Sequence, residues 1–270
     1  MILTPENYFS PEAAREYMSV SQYKMFRSCE AAAYAELTGE YERPDKEAFL
    51  VGHFLHAWSQ GPDYLDEFKC NHPEIISSQG KTKGELKAPF RVAEAMIETL
   101  EADKKAMFYL RGRKEVPIVA ELFGTKWKGC IDVLNDELGY ILDLKTAASL
   151  TDFKYDPRIG QRVSFIEQWD YMVQSAVYSE LERVAAGRDT YRDFYIVAVT
   201  KQAPPAHEIF DLTDYERLET ELNKIEANLP RILLVKSGAE PPTRCECCAY
   251  CRGTKRVGRP VHYTELKEAY

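Results

Sequence analysis

A chain of 270 residues, 45% hydrophobic and 12% aromatic, can bury one substantial core, and no Gly/Ser- or Pro-rich linker divides it. A formal net charge of −8 argues against a protein that coats nucleic acid through overall basicity, but not against one that places acids around a metal and keeps its cations in local groups. No run of about 18 apolar residues suggests a membrane span, and Met1 to Ser10 lacks the basic and then apolar pattern of a secretory signal, so a cytosolic protein is expected.

From the N-terminus, Ser19 to Glu36 reads as a helix capped by Ser19 or Ser21, and Ala48 to Trp58 as a second with Phe49, Leu50, Phe54, Leu55 and Trp58 at helical spacing. Gly80 to Pro89 is a charged loop, and Phe90 to Leu110 is a third helix. The pattern then changes to short β-forming runs, Val116 to Leu122, Trp127 to Leu134 and Tyr140 to Leu144, broken by Gly124 and by the Asp136–Gly139 stretch. A long helix, about Arg162 to Ala186, ends at Gly187. Strands follow at Asp193 to Lys201 and His207 to Leu212, then a helix from Asp214 to Lys236 that leads through Pro241 and Pro242 into a cysteine-rich stretch. This order predicts an α/β (α+β) fold with a central mixed sheet, in one domain: a helical part over 1–115, a core over 116–236 and a Cys-rich segment over 240–260. The cations gather at Lys81, Lys83, Lys87 and Arg91, at Arg111, Arg113 and Lys114, and at Arg244, Arg252, Lys255, Arg256 and Arg259.

The chemistry concentrates on the β-meander. Strand alternation in Ile141-Leu142-Asp143-Leu144-Lys145 puts Asp143 and Lys145 on one face and Leu142 and Leu144 on the other. If the loop is Asp136 to Gly139, Asn135 pairs with Tyr140 and Asp132 stands across from Asp143. Like charges directly opposed on a sheet repel. A divalent cation of the Mg²⁺ or Mn²⁺ type removes the repulsion, and Lys145 beside it can steady an attacking water or the charge on phosphorus. The alternative from this local pattern is a hairpin with its polar face in water. Glu121, on the preceding strand, is a further acid that either joins the metal or pairs with a basic neighbour.

At these residues the chain resembles the PD-(D/E)XK nuclease superfamily, with its RecB-like and RecE-like phage-type exonucleases the nearest branch. Gly52-His53-Phe54-Leu55-His56 resembles the Gly-x-x-x-His helix, Gly129-Cys130-Ile131-Asp132 the strand of the first aspartate, Asp143-Leu144-Lys145-Thr146 the Asp-x-Lys-Thr core, and Gln174-Ser175-Ala176-Val177-Tyr178 the Gln-x-x-x-Tyr helix. The literal Pro-Asp is missing, since Ile131 precedes Asp132. The resemblance implies a restriction-endonuclease-like core. It also implies metal ligation by His56, Asp132, Asp143 and the carbonyl of Leu144, catalysis by Lys145, and Gln174 and Tyr178 facing the active site. The activity it implies is Mg²⁺-dependent hydrolysis of DNA, with resection of double-stranded ends in phage recombination. An annealing protein is then the expected partner, and a ring-like homo-oligomer fits the RecE-like branch. The other class of function is a non-catalytic nucleic-acid-binding protein on a degenerate nuclease fold.

Cys245, Cys248 and Cys251 form a Cys-x-x-Cys-x-x-Cys run that suits an iron–sulfur cluster with a fourth ligand from elsewhere, or zinc with Cys247 as a fourth ligand. Free or disulfide-linked thiols are the third alternative. Some RecB-like nucleases carry a [4Fe–4S] cluster bound by one cysteine ahead of the core and three after it. The resemblance gives Cys29 the role of the lone cysteine and implies that the cluster joins the two ends of the chain.

Overall fold

Two turns organise the sheet of this computed structural model, which describes residues 3–4, 7–43, 46–156, 159–260 and 262–265. Phe123 and Gly124 take left-handed φ angles of 53° and 72° and reverse the chain between β1 (Arg113–Leu122) and β2 (Thr125–Asn135). The second turn is Asp136 to Gly139. The Gly139 amide donates to the Asn135 carbonyl at 3.0 Å and the Leu138 amide to Asn135 Oδ1 at 2.8 Å. Asn135 therefore pairs with Tyr140, as expected, and starts β3 (Tyr140–Ala147) in the predicted register.

Beyond β3 lie a small hairpin of β4 (Lys154–Asp156) and β5 (Gln161–Val163), then β6 (Asp193–Thr200) and β7 (His207–Asp211). The main sheet has the order β1-β2-β3-β6-β7, antiparallel except for β3 against β6. A parallel pair needs a crossover, and helices supply it.

The helices are α1 (Pro11–Glu16), α2 (Val20–Ser28), α3 (Glu30–Thr38), α4 (Lys46–Gln60), α5 (Pro62–Asn71), α6 (Ala88–Ala102), α7 (Lys104–Tyr109), α8 (Phe165–Gln168), α9 (Tyr171–Ala185), α10 (Tyr215–Lys236) and α11 (Ala249–Gly253). They cover both faces of the sheet. Phe194, Ile196 and Ala198 of β6 enter a core with Val177 and Leu181 of α9 and Ile225 and Leu229 of α10. Val197 and Val199 enter a second core with Phe54 and Leu55 of α4 and Met96 and Leu100 of α6, together with Leu142 and Leu144. Burial on both faces explains why β6 is almost continuously apolar. Among the described residues no helix is long and apolar enough to cross a membrane.

Three predicted helices are divided. Ser19–Glu36 breaks at Cys29, whose φ of −161° and ψ of 108° are extended. Phe90–Leu110 breaks at Asp103, whose carboxylate caps α7 by accepting from the Lys105 and Ala106 amides. Arg162–Ala186 begins in β5, passes through α8 and restarts at α9 after Asp170, which adopts a left-handed φ of 50°. An extended residue at Cys29, a side-chain cap at Asp103 and a left-handed residue at Asp170 override the apolar periodicity at these points.

Candidate active site

The site lies where β2 and β3 part. Their ladder ends at Val133 with Leu142, one step before Asp132 and Asp143. In place of the next backbone bond, Asp132 Oδ2 accepts from the Leu144 amide at 2.7 Å. On the other side of β2, Lys114 pairs with Val133 and Val116 with Ile131, so Glu115 stands across from Asp132. Glu115 has a φ of 45°, a left-handed conformation unusual for a residue other than glycine, and interrupts the ladder between the pairs Lys114–Val133 and Val116–Ile131. Three acids, Glu115, Asp132 and Asp143, thus form a row across three strands.

His56 reaches the row from α4, where its neighbours Phe54 and Leu55 are locked in the second core. Its Nδ1 is 2.9 Å from Glu115 Oε1 and 3.5 Å from Asp132 Oδ1. One donor atom from each of His56, Glu115 and Asp132 lies within 4.8 Å of the others, so this trio could hold a metal ion. From the opposite face, Gln174 on α9 donates to Asp143 Oδ1 at 2.8 Å. Lys145 Nζ lies 2.7 Å from the other oxygen, Asp143 Oδ2, and pairs with it.

The electrostatics follow from this crowding. Burial, opposed by Lys145 and reinforced by Asp132, pushes the Asp143 carboxyl up to about 6. Burial works against a charged His56, but Asp132 and Glu115 outweigh it and raise the imidazole to about 9. Burial also opposes the Lys145 ammonium, yet Asp143 and Asp132 hold it firmly protonated. For Glu115 the hydrogen bond from His56 overcomes burial and keeps the carboxyl below its ordinary value.

The structure brings together His56, Asp132, Asp143, Leu144, Lys145 and Gln174. Tyr178 sits close by. Its hydroxyl is pushed well up, by burial first and then by Tyr8, Asp143 and Asp132. Its ring packs on the backbone of Gly129, where an added Cβ would come within 3.2 Å of it. Glu121 does not join the row. The Phe123–Gly124 turn places it across from Lys126, exposed and at the far end of β1, and Glu115 occupies the position expected for it.

Several residues here had no sequence signal. Glu115 lies in the mixed-charge stretch Arg113-Lys114-Glu115, ahead of the apolar run that marks β1, and only the strand register reveals it. Cys130 donates its thiol to Glu115 Oε2 at 3.3 Å. Lys24 of α2 donates to the Trp169 carbonyl at 2.8 Å, and both its ammonium and that of Lys145 lie over the Tyr171 ring, at 5.4 and 5.6 Å. Burial, with Lys145 adding to it, lowers Lys24 to about 8. Lys114 is lowered to about 8 by burial, against the pull of Asp132 and Glu115.

The second expected cluster also forms. The sulfurs of Cys29, Cys245, Cys248 and Cys251 all lie within 4.8 Å of one another, and Cys247 is outside the group.

Residues 19–254 match the model of the PDDEXK-like domain of unknown function (DUF3799). The chain belongs to this PDDEXK-like family. The fold agrees with a crystal structure from Eubacterium rectale of a protein provisionally described as an exonuclease. It is 39% identical over the whole of both chains, with a TM-score of 0.90. Among curated proteins there is no significant match. Within the PDDEXK-like family the mixed sheet and its flanking helices form a restriction-endonuclease-like core.

Proposed function

We propose that this protein is a metal-dependent deoxyribonuclease that resects double-stranded DNA ends. The row Glu115–Asp132–Asp143, with His56 on one side and Lys145 on the other, carries this reading. The imidazole of His56 and the carboxylates of Glu115 and Asp132, one donor atom each within 4.8 Å of the others, form a donor set of the kind that holds Mg²⁺ or Mn²⁺. His56, Glu115 and Asp132 would bind the ion, with Asp143 beside them. An extended residue turns its amide and carbonyl to the same side, so the Leu144 carbonyl, like its amide, faces the fork. When bound, such an ion supplies an activated water and neutralises charge on phosphate.

The residues of the chain divide the remaining work. Lys145, held as an ammonium, donates to a phosphate oxygen and stabilises the negative charge that builds on phosphorus, which makes it an electrostatic group rather than a base. Gln174 fixes the orientation of Asp143 through Oδ1, leaving Oδ2 for Lys145 and the reacting centre. Lys24 and Tyr171 offer a cation and an aromatic face to the strand entering the site.

The family and the description of the Eubacterium rectale protein support nuclease chemistry and, less directly, attack from an end. The resemblance to phage-type exonucleases supports an annealing protein as the recipient of the single strands, and an oligomer. The test is hydrolysis of linear duplex, closed circular duplex and single-stranded DNA with Mg²⁺ and with EDTA. Release of nucleotides from the linear duplex alone, lost by at least about a thousandfold in Lys145→Ala and Asp143→Ala, is expected. DNA binding without cleavage in any of these conditions would establish the non-catalytic alternative.

A further inference from the structure

We infer that Cys29, Cys245, Cys248 and Cys251 bind a single zinc ion, and not an iron–sulfur cluster. The spacing of the sulfurs carries the argument. Cys29 Sγ is 3.6 Å and Cys245 Sγ 3.9 Å from Cys251 Sγ, and all four sulfurs lie within 4.8 Å of one another. Four thiolates on one tetrahedral zinc, at about 2.3 Å each, stand about 3.8 Å apart. In a [4Fe–4S] cluster each thiolate holds a different iron, with a cube of irons and sulfides between them, so the sulfurs must stand well apart. Four sulfurs this close leave no room for the cube. They are also too far apart for a disulfide, whose sulfurs lie about 2.05 Å from each other.

The backbone around the sulfurs suits bound thiolates. The Cys248 amide donates to Cys245 Sγ at 3.3 Å and the Cys251 amide to Cys248 Sγ at 3.4 Å. Arg244, itself paired with Glu246 at 2.8 Å, donates to the Cys251 carbonyl at 2.6 Å and holds this segment in place. Cys29 comes from the break between α2 and α3, and its extended backbone is what separates those helices. Other bonds join the same two segments. Glu30 accepts from the Thr243 amide at 2.8 Å and pairs with Arg231 at 2.7 Å, and the Ala31 amide donates to the Thr243 carbonyl at 3.1 Å. The zinc therefore ties the α2–α3 junction to a segment 222 residues away. Because α2 carries Lys24, this link also steadies one wall of the candidate active site. The inference does not depend on the nuclease reading, since its readout is metal content.

The full-length protein, expressed in medium containing both iron and zinc and purified anaerobically, is assayed for metals and acid-labile sulfide. Colourless protein with one zinc per chain is expected, retained in His56→Ala and Cys247→Ser and lost in Cys251→Ser. X-ray absorption at the zinc edge of the wild type should give four sulfur neighbours at about 2.3 Å, which decides the matter even if Cys251→Ser fails to fold. Brown protein with iron and sulfide would overturn the inference. So would nitrogen or oxygen ligands on the zinc, or metal-free protein whose four thiols all react with an alkylating reagent.

Discussion

Asp143 meets three demands at once: it accepts from Gln174, pairs with Lys145 and faces Asp132 across the fork. Glu115 and Glu121 provide a direct comparison, since both are glutamates on β1 and only Glu115 touches His56. Glu115→Gln is expected to lower Mg²⁺-dependent cleavage by about a hundredfold, in the range seen for loss of a single charge-stabilising group, whereas Glu121→Gln leaves the rate within twofold. Initial rates on linear duplex check this, and equal rates for both variants would remove Glu115 from the site. His56 sets a pH dependence whose sign is fixed. Its folded-state value, about 9, lies above the ordinary 6.5, so the folded protein holds this proton more tightly than the unfolded chain. That contribution, on the order of 3 kcal/mol at most, is fully present below pH 6.5 and is lost as pH rises to about 9. Urea midpoints measured without added divalent ion should therefore fall across this window, and His56→Ala should flatten the fall. Asp143, raised to about 6, acts in the same direction at lower pH. A divalent ion must displace the His56 proton, so its affinity should rise over the same window.

At the scale of elements, the site depends on how β1 enters the sheet. Gly112 precedes the strand with a φ of 138°, and a Cβ there would lie 2.7 Å from the Leu134 carbonyl oxygen. Only glycine takes this path without displacing β2, and β1 then delivers Glu115 across from Asp132. Gly112→Ala should cost about 1–3 kcal/mol of stability, read from the urea midpoint, and should weaken Mg²⁺-dependent cleavage as Glu115 shifts. An unchanged midpoint would show that the strand tolerates another path. On the other face, α9 acts as a rigid mount. Val177 and Leu181 are completely buried, and the same helix presents Gln174 and Tyr178 one turn apart toward the acids.

Across the whole molecule, two cores on opposite faces of one sheet deliver His56 from one side and Gln174 from the other to a single gap between strands. The chain carries a net charge of −8, so DNA cannot be held by overall attraction. Among the described residues the cations at the site are few: Lys24, Lys114 and Lys145, with Lys24 and Lys114 both lowered chiefly by burial. Binding of duplex ends should accordingly depend on salt with a log–log slope no steeper than about −3, as expected for roughly three phosphate contacts. Fluorescence anisotropy over a salt series measures it, and a much steeper slope would point to a basic surface elsewhere or to several chains acting together.

Residues close together in sequence made much of this site legible. A four-residue turn placed Asp132 opposite Asp143, strand alternation put Asp143 and Lys145 on one face, and helical spacing put Gln174 and Tyr178 on another. The Cys-x-x-Cys-x-x-Cys run likewise marked three of the four clustered cysteines, because backbone geometry fixes side chains a few residues apart. Glu115, Lys24 and Tyr171 were not legible, and neither was the spacing of the four sulfurs. Each depends on distances between segments far apart in the chain: where β1 starts relative to β2, how α2 lies against α9, and how near Cys29 comes to Cys251. Packing of the two cores against the sheet sets those distances, and no local pattern encodes them.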